Sequence, residues 1–377
     1  MTTTKTIVLC MDSWKGSLSA LEACEAVARG IRSVVPNAAC VYSPLADGGE
    51  GTQELVAVLR PGRKVVKTVH GPLPGQQIED GYLLWSDTHE ALIEMARCAG
   101  LPLLKESEKN PLQTTTYGVG EWMQDAVERG CTQFTLAVGG SATVDGGVGM
   151  AQAMGWHFLN SEGKELEFGG EALRTLDKII PPESLPELHV RVMCDVTNPL
   201  LGEQGSAAIF GPQKGASPEQ VSILEAALTR LAEVIHKDLG VDVRHLPGGG
   251  AAGGIAAGAV AFLGAELVSG VDEMMRITDL NSKLQAADWV ITGEGRVDSQ
   301  SLEGKVLSGV LDAVKGSSAQ VVVIAGSCDL GDEDLKKAGL LSAFSANDQE
   351  LPLVEALTRA SELAEAAGRR FAKMYLG

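Results

Sequence analysis

One stretch constrains the architecture more than any other. The β-branched apolar run Phe134-Thr-Leu-Ala-Val138 breaks into Gly139-Gly-Ser-Ala-Thr-Val-Asp-Gly-Gly-Val-Gly149 and re-emerges as an apolar run over 148–154. A buried strand, a glycine-rich turn and a helix in that order predict an α/β unit with a turn at the strand's carboxyl end. Glycines there let backbone N–H groups approach a ligand, and a helix N-terminus favours an anion. Asp145 is the odd member, because a carboxylate beside a phosphate makes sense when a cation lies between them. The pattern Asp-Gly-Gly-x-Gly recurs at Asp47-Gly-Gly-Glu-Gly51. Two readings stay open for each turn: a helix-capping Asp in a tight turn, or part of a shared polyanion and metal site.

Length and charge narrow the class. A chain of 377 residues predicts two domains. Aromatics are only 4% while glycines number 45, which favours a small-residue α/β protein over an all-β sandwich. A net charge of −18 argues against a nucleic-acid or anionic-membrane surface. The seven cysteines are widely spaced with no Cys-x-x-Cys, as expected of reduced thiols in a cytoplasmic protein. No signal peptide is evident. Residues 246–265 are uncharged over membrane length, but the seven glycines there and Pro247 predict a buried helix from Ile255 behind a loop.

Both ends of the chain read as βα units. Residues 6–11 form a strand followed by the polar loop Asp12-Ser-Trp-Lys-Gly-Ser17 and a helix opened by a Ser19–Glu22 capping box. Residues 288–292 form another, followed by Gly293-Glu-Gly-Arg-Val-Asp298, Gln300 and Gly304-Lys305. A strong strand at 320–325, a weaker one at 341–345 and one closing helix over 352–374 complete the set. Between the ends the character changes: short alternating runs over 65–95 predict antiparallel hairpins, and a polar region reaches about Pro186. Threonines 114–116 either cap the helix that follows or line a pocket. The expected division is a discontinuous domain of 1–65 plus 260–377, with 66–259 inserted.

The recurring chemistry is a carboxylate in a Gly-rich turn at a strand end: Asp12, Asp47, Asp145, Asp195, Glu294 and Asp298, accompanied by Lys15, Lys214, Arg296 and Lys305. Phosphoryl transfer needs such a set. Walker A, protein-kinase and Gly-x-Ser-x-Gly signatures are all missing. Gly248-Gly-Gly-Ala-Ala-Gly-Gly254 formally contains G-x-G-x-x-G, but Pro247 stands where a strand should end. That loop either touches phosphate or permits tight helix packing.

Taken together, Asp12-Ser-x-Lys15, Ala46-Asp-Gly-Gly-Glu-Gly-Thr52, Gly139-Gly-Ser-Ala-Thr-x-Asp-Gly-Gly-x-Gly149, Cys194-Asp-Val-Thr-Asn-Pro199, Phe210-Gly-Pro-Gln-Lys-Gly-Ala216, Gly248-Gly-Gly-Ala-Ala-Gly-Gly254 and Ile291-Thr-Gly-Glu-Gly-Arg296 closely resemble the type I glycerate kinases. The resemblance runs from about 6 to 375; Trp14-Lys-Gly departs from the family's Tyr- or Phe-Lys-Glu. It implies a flavodoxin-like parallel-sheet domain with a second α/β domain, and ATP-dependent phosphorylation of D-glycerate with Mg²⁺. The expected product is 2-phosphoglycerate, as in many relatives that serve glycolate, glucarate or allantoin breakdown. A 3-phosphate product, a dinucleotide-dependent dehydrogenase and a non-catalytic sugar-acid sensor are the rivals, and a homodimer stays open.

Within that frame Arg296 suits the substrate carboxylate, because its fork makes two bonds. Glu294 or Asp298 takes the hydroxyl proton or holds metal, and Lys15 and Lys214 neutralise the phosphoryl group. Gly139, Gly140 and Ser141, with Gly248, Gly249, Gly250 and Gly253, face the nucleotide. Asp145, Asp195 and Asp47 hold Mg²⁺ or its waters, Asp195 also serving catalysis.

Overall fold

The computed structural model describes residues 5–46, 48–299, 301–302 and 305–377, the side chain of Lys305 excepted. They form two compact units. The first takes Met1–Asp47, Val58–Arg60 and Val271–Gly377; the second takes Gly48–Ala57 and Pro61–Gly270.

Five strands make the sheet of the first unit: β1 (Thr6–Met11), β2 (Ala39–Tyr42), β3 (Trp289–Gly293), β4 (Gln320–Ala325) and β5 (Ser342–Ser345). Their order is β5-β4-β3-β1-β2, and every neighbouring pair is parallel. This 2-1-3-4-5 order is that of flavodoxin-like sheets, whose ligands bind beyond the carboxyl ends of the strands. Residues 7–11 are fully buried, as a parallel strand covered on both faces requires. Helix Ala20–Arg32 begins with the expected Ser19–Glu22 capping box. It crosses helix Ala360–Tyr375 with backbones almost touching: a Cβ on Gly30 would lie 2.0 Å from the Glu365 carbonyl oxygen. The expected single closing helix is two, Leu353–Thr358 and Ala360–Tyr375, broken at Arg359. The shorter helix leaves Leu353 and Val354 exposed, so the apolar face that seats the longer one does not continue through it.

The second unit holds a six-stranded mixed sheet in the order Glu266–Val268, His189–Met193, Gln133–Ala137, Glu90–Glu94, Gln77–Trp85, Arg63–His70. The last three strands pair antiparallel, as the alternating runs predict, and the others are parallel. Arg63–His70 pairs along its whole length with Gln77–Trp85, so residues 63–65 go with the second unit. The polar region that reaches about Pro186 contains a hairpin, His157–Asn160 with Leu176–Ile180. Helix Pro218–Leu239 has its capping box at Ser217 and Gln220. Within 246–265 the α-helix is Ile255–Leu263, and no helix of the described residues is long and apolar enough to cross a membrane.

Candidate functional site

The ends of β1, β3 and β4 are fastened to one another by backbone. Asp12 N donates to Gly293 O (2.9 Å), Gly326 N to Glu294 O (3.2 Å) and Ser327 N to Gly295 O (3.0 Å). Gly326 is required there, because a Cβ would lie 2.4 Å from the Gly295 oxygen. Above this frame lies a crevice of about 460 Å³. Its lining includes Ser13, Lys15, Glu294 and Arg296 together with an apolar wall of Leu353, Ala356, Leu357, Ala360 and Leu363. Three residues assigned from sequence, Lys15, Glu294 and Arg296, thus line one cavity.

Burial pushes the Glu294 carboxyl above its ordinary range, and the neighbouring charges of Asp12 and Asp298 add to the shift. A hydrogen bond from Ser301 and the charge of Lys15 oppose it. Arg296 is 69% exposed and donates from Nη2 to Asp329 Oδ2 at 3.1 Å, with Asp298 Oδ2 3.9 Å from its Nε. Asp298 Oδ1 accepts from Ser301 N (3.2 Å). The guanidinium fork therefore stands at the crevice among carboxylates. Gln300 and Gly304, together with the Lys305 side chain, lie outside the described residues, as does Asp47.

The turn 139–149 of the second unit is put to a different use. Asp145 is buried and accepts four hydrogen bonds: from Thr116 N and Oγ1 (2.8 Å each), Gly147 N (3.1 Å) and Gly149 N (3.3 Å). Burial raises its pKa, and these donors work against the rise. To bind a metal, as the sequence reading assigns it, Asp145 has to give up these donors. Thr116 completes the knot, accepting from Met150 N at 2.9 Å, while Tyr117 N donates to Thr115 Oγ1. Glu94 plays the same part at the second Gly-rich turn, accepting from Gly51 N (3.0 Å) and Gln53 N (2.8 Å). The two turns meet where Gly139 N donates to Gly48 O at 3.1 Å.

Lys214 is only 2% exposed, and its ammonium donates to Ser141 Oγ and Thr143 O, both at 2.7 Å. Burial pulls its pKa down to about 7, against the pull of Asp145. It ties the loop from inside, whereas Gly140 is exposed and Gly139 half-buried. Asp195 follows strand His189–Met193 and accepts from Gly270 N (3.3 Å).

The glycines of the third glycine-rich loop pack closely against neighbouring protein. A Cβ on Gly253 would lie 1.8 Å from Thr143 O, one on Gly250 2.2 Å from Pro199 O, and one on Gly248 2.9 Å from Cys194 Sγ. Gly249 is likewise close to Leu246 O (3.0 Å), and Gly146 N donates to Gly253 O (3.0 Å). No strand leads into this loop. Its glycines answer neighbouring protein, which removes the support for a dinucleotide fingerprint.

The sequence reading missed the apolar wall, Trp14, Ser327 and Asn347 as lining residues. The signal available was the run of leucines and alanines over 351–364, which is indistinguishable in sequence from an ordinary amphipathic helix.

A flavodoxin-like sheet with acid, guanidinium and ammonium at its strand ends defines an α/β enzyme built for anionic substrates. Comparison with known proteins sharpens that class. The glycerate kinase family model matches residues 7–376. Glycerate kinase of Halalkalibacterium halodurans is 44% identical over 372 residues, covering 97% of each chain. Glycerate 2-kinase of Escherichia coli K12 is 45% identical over 325 residues, 85% of each. A crystal structure from Salmonella typhimurium LT2, of a chain assigned as glycerate kinase 2, superposes with a TM-score of 0.86 at 42% identity, covering 99% of this chain and 98% of that one. The chain belongs to the glycerate kinase family. It is a kinase, and ATP is its phosphoryl donor.

Proposed function

We propose that the protein phosphorylates D-glycerate at the 2-hydroxyl, giving 2-phosphoglycerate, in the cytoplasmic breakdown of sugar acids or glyoxylate. The observation that carries the reading is the crevice of the first unit, where Lys15, Glu294 and Arg296 line one cavity at the carboxyl ends of β1 and β3. The relative named glycerate 2-kinase supports the position of the phosphate. Glu294 is the base. Its pKa, raised first by burial, brings it closer to the alcohol it must deprotonate. Arg296 grips the glycerate carboxylate with two parallel bonds, displacing Asp329 from its fork. Asp298 keeps that guanidinium in place. Lys15 offsets charge on the phosphoryl group.

Magnesium fits this donor set. Among the described residues no three His, Cys, Asp or Glu side chains cluster as a metal cage. Mg²⁺ does not need one, since it takes one or two carboxylates plus phosphate oxygens and water. Asp12 lies close enough to raise the Glu294 pKa, and it is the carboxylate we assign to hold the ion. When bound, the ion neutralises charge on the phosphates. In the second unit Asp195 is the remaining candidate of the sequence's metal set. There Gly140 is the exposed residue of the 139–149 turn, and Lys214 holds that turn from inside through the buried Ser141 hydroxyl.

Incubation with D-glycerate and Mg-ATP, followed by ³¹P NMR of the product, tests the reading. A 2-phosphate signal is expected. A 3-phosphate signal overturns the regiochemistry, and no phosphorylated glycerate overturns the substrate.

A further inference from the structure

The crevice of the first unit has more room and more apolar surface than a three-carbon acid uses. Its volume of about 460 Å³ lies in the range that encloses drug-sized ligands. Glycerate carries a carboxylate and two hydroxyls and has nothing to gain from a wall of Leu353, Ala356, Leu357, Ala360 and Leu363. Leu353 nevertheless stands 73% exposed on that wall, an apolar side chain with no burial of its own. The kinase's other substrate, ATP, has the complementary form: a flat, largely apolar nucleoside at one end and polyanionic phosphates at the other. The crevice carries both characters, since Lys15 lines the same cavity as the apolar wall.

The alternatives within the chain are poorer. A cavity of about 640 Å³ in the second unit is lined by Glu203, Glu225 and Glu233 against the single cation Arg230, which repels a polyphosphate. The Gly-rich loop at 248–254 is filled by protein backbone, and the N–H groups of Gly147 and Gly149 are taken by Asp145.

We infer that the nucleoside of ATP lies in the crevice of the first unit, its base against the wall made by the 353–358 and 360–375 helices, with Leu353 and Leu357 as binding residues. The inference rests on the reading of this crevice as the phosphoryl-transfer site, and it assigns the wall a ligand that reading does not need.

Leu353→Asp tests it, with Val354→Asp as its partner. The two residues are neighbours, 73% and 79% exposed, but only Leu353 lines the crevice, so charge and helix effects are shared and the ligand contact is not. The non-hydrolysable analogue AMP-PNP with Mg²⁺ is titrated calorimetrically, and KM is measured for both substrates. Leu353→Asp is expected to weaken AMP-PNP binding and raise the KM for ATP about tenfold, leaving the KM for D-glycerate unchanged. Val354→Asp is expected to match the wild type in all three. Equal weakening in both variants, or none in Leu353→Asp, overturns the inference. Ala356→Trp, which fills the crevice from the same helix, should abolish AMP-PNP binding; a folded Ala356→Trp protein that binds normally also overturns it. The two readings fail separately. A wild-type protein that binds AMP-PNP in a Leu353-dependent way but does not phosphorylate glycerate sinks the substrate assignment and upholds this one. A Leu353→Asp enzyme that phosphorylates glycerate with an unchanged KM for ATP does the reverse.

Discussion

The Gly-rich turn at 139–149 and the strand-end loop at 293–298 look alike on paper. Each follows a buried β-branched strand, carries a carboxylate between glycines and precedes a helix. In the structure their carboxylates face opposite tasks. Asp145 turns its charge on its own turn and satisfies donors from Thr116, Gly147 and Gly149. Glu294 is left at a cavity, with the charges of Asp12 and Asp298 pressing on it and that of Lys15 relieving it. A glycine-rich turn beside an acid is thus an anion site only when the acid is not itself the anion. On the proposed reading, stability hangs on the first carboxylate and turnover on the second.

The largest effect expected from that contrast is in Glu294→Gln. The amide cannot accept a proton, so kcat should fall by about 10²- to 10⁴-fold. The unfolding free energy should stay within about 0.5 kcal/mol of wild type, since a half-buried acid with a raised pKa stabilises little. The wild-type kcat profile should lose activity toward acid through a pKa above the usual carboxylate range, and the variant should lack that limb. A variant with near wild-type turnover breaks the comparison on the Glu294 side.

Asp145→Asn probes the other side. It places an NH₂ group among donors that need an acceptor, at a buried site. A loss of about 2–4 kcal/mol in urea unfolding is expected. An Asp145→Asn protein of wild-type stability whose kcat has dropped by orders of magnitude restores the metal role that the sequence suggests for this residue.

How much of this was legible beforehand follows from the same contrast. The apolar runs at 6–11, 289–292 and 320–325 are buried on both faces, as covered parallel strands are, so βα units at both ends could be read directly, while the flavodoxin-like order came from the family resemblance. That Glu294 and Arg296 share a cavity was legible because charge beside glycines at a strand end has few structural uses, whereas Lys15 alone reads as a solvated loop lysine. The fate of Asp145 was not, because its partner Thr116 comes from a loop 29 residues away and nothing local announces the pairing. Glu94 sits inside an apolar strand, where its spacing reads as one polar face of a hairpin; its capping of Gly51 and Gln53 depends on a neighbour 43 and 41 residues back in sequence. The short strand Glu266–Val268 and the 157–180 hairpin were hidden by length, since three or four residues carry no measurable period.

A smaller effect sharpens the contrast within the first unit. Arg296 is 69% exposed, so its pairing with Asp329 contributes little to folding. Arg296→Lys keeps the charge and loses the fork, and it should raise the KM for D-glycerate about tenfold with melting unchanged. Equal rises in the KM for both substrates would move Arg296 from the carboxylate to the phosphates.

The smallest effect concerns Lys214, the cation inside the 139–149 turn. Its ordinary pKa of 10.5 falls to about 7 in the fold because burial disfavours the ammonium more than Asp145 favours it. Between those two values the unfolded chain holds a proton that the folded chain has released. The unfolded state therefore binds more protons, and this residue makes stability rise with pH across that window. Below it both states are protonated, and the contribution is flat at its least favourable level. Lys214→Met removes the titration, though it also leaves Ser141 Oγ and Thr143 O without their donor. The informative quantity is thus the difference between wild type and variant, not either alone. Measured by urea unfolding at about pH 6 and about pH 9, wild-type stability minus that of the variant should grow by on the order of 1 kcal/mol or more. A difference that stays level means that Lys214 keeps its charge throughout, with Asp145 as its counter-ion. In that case the turn of the second unit holds a true ion pair, and the contrast with the open carboxylate of Glu294 becomes sharper still.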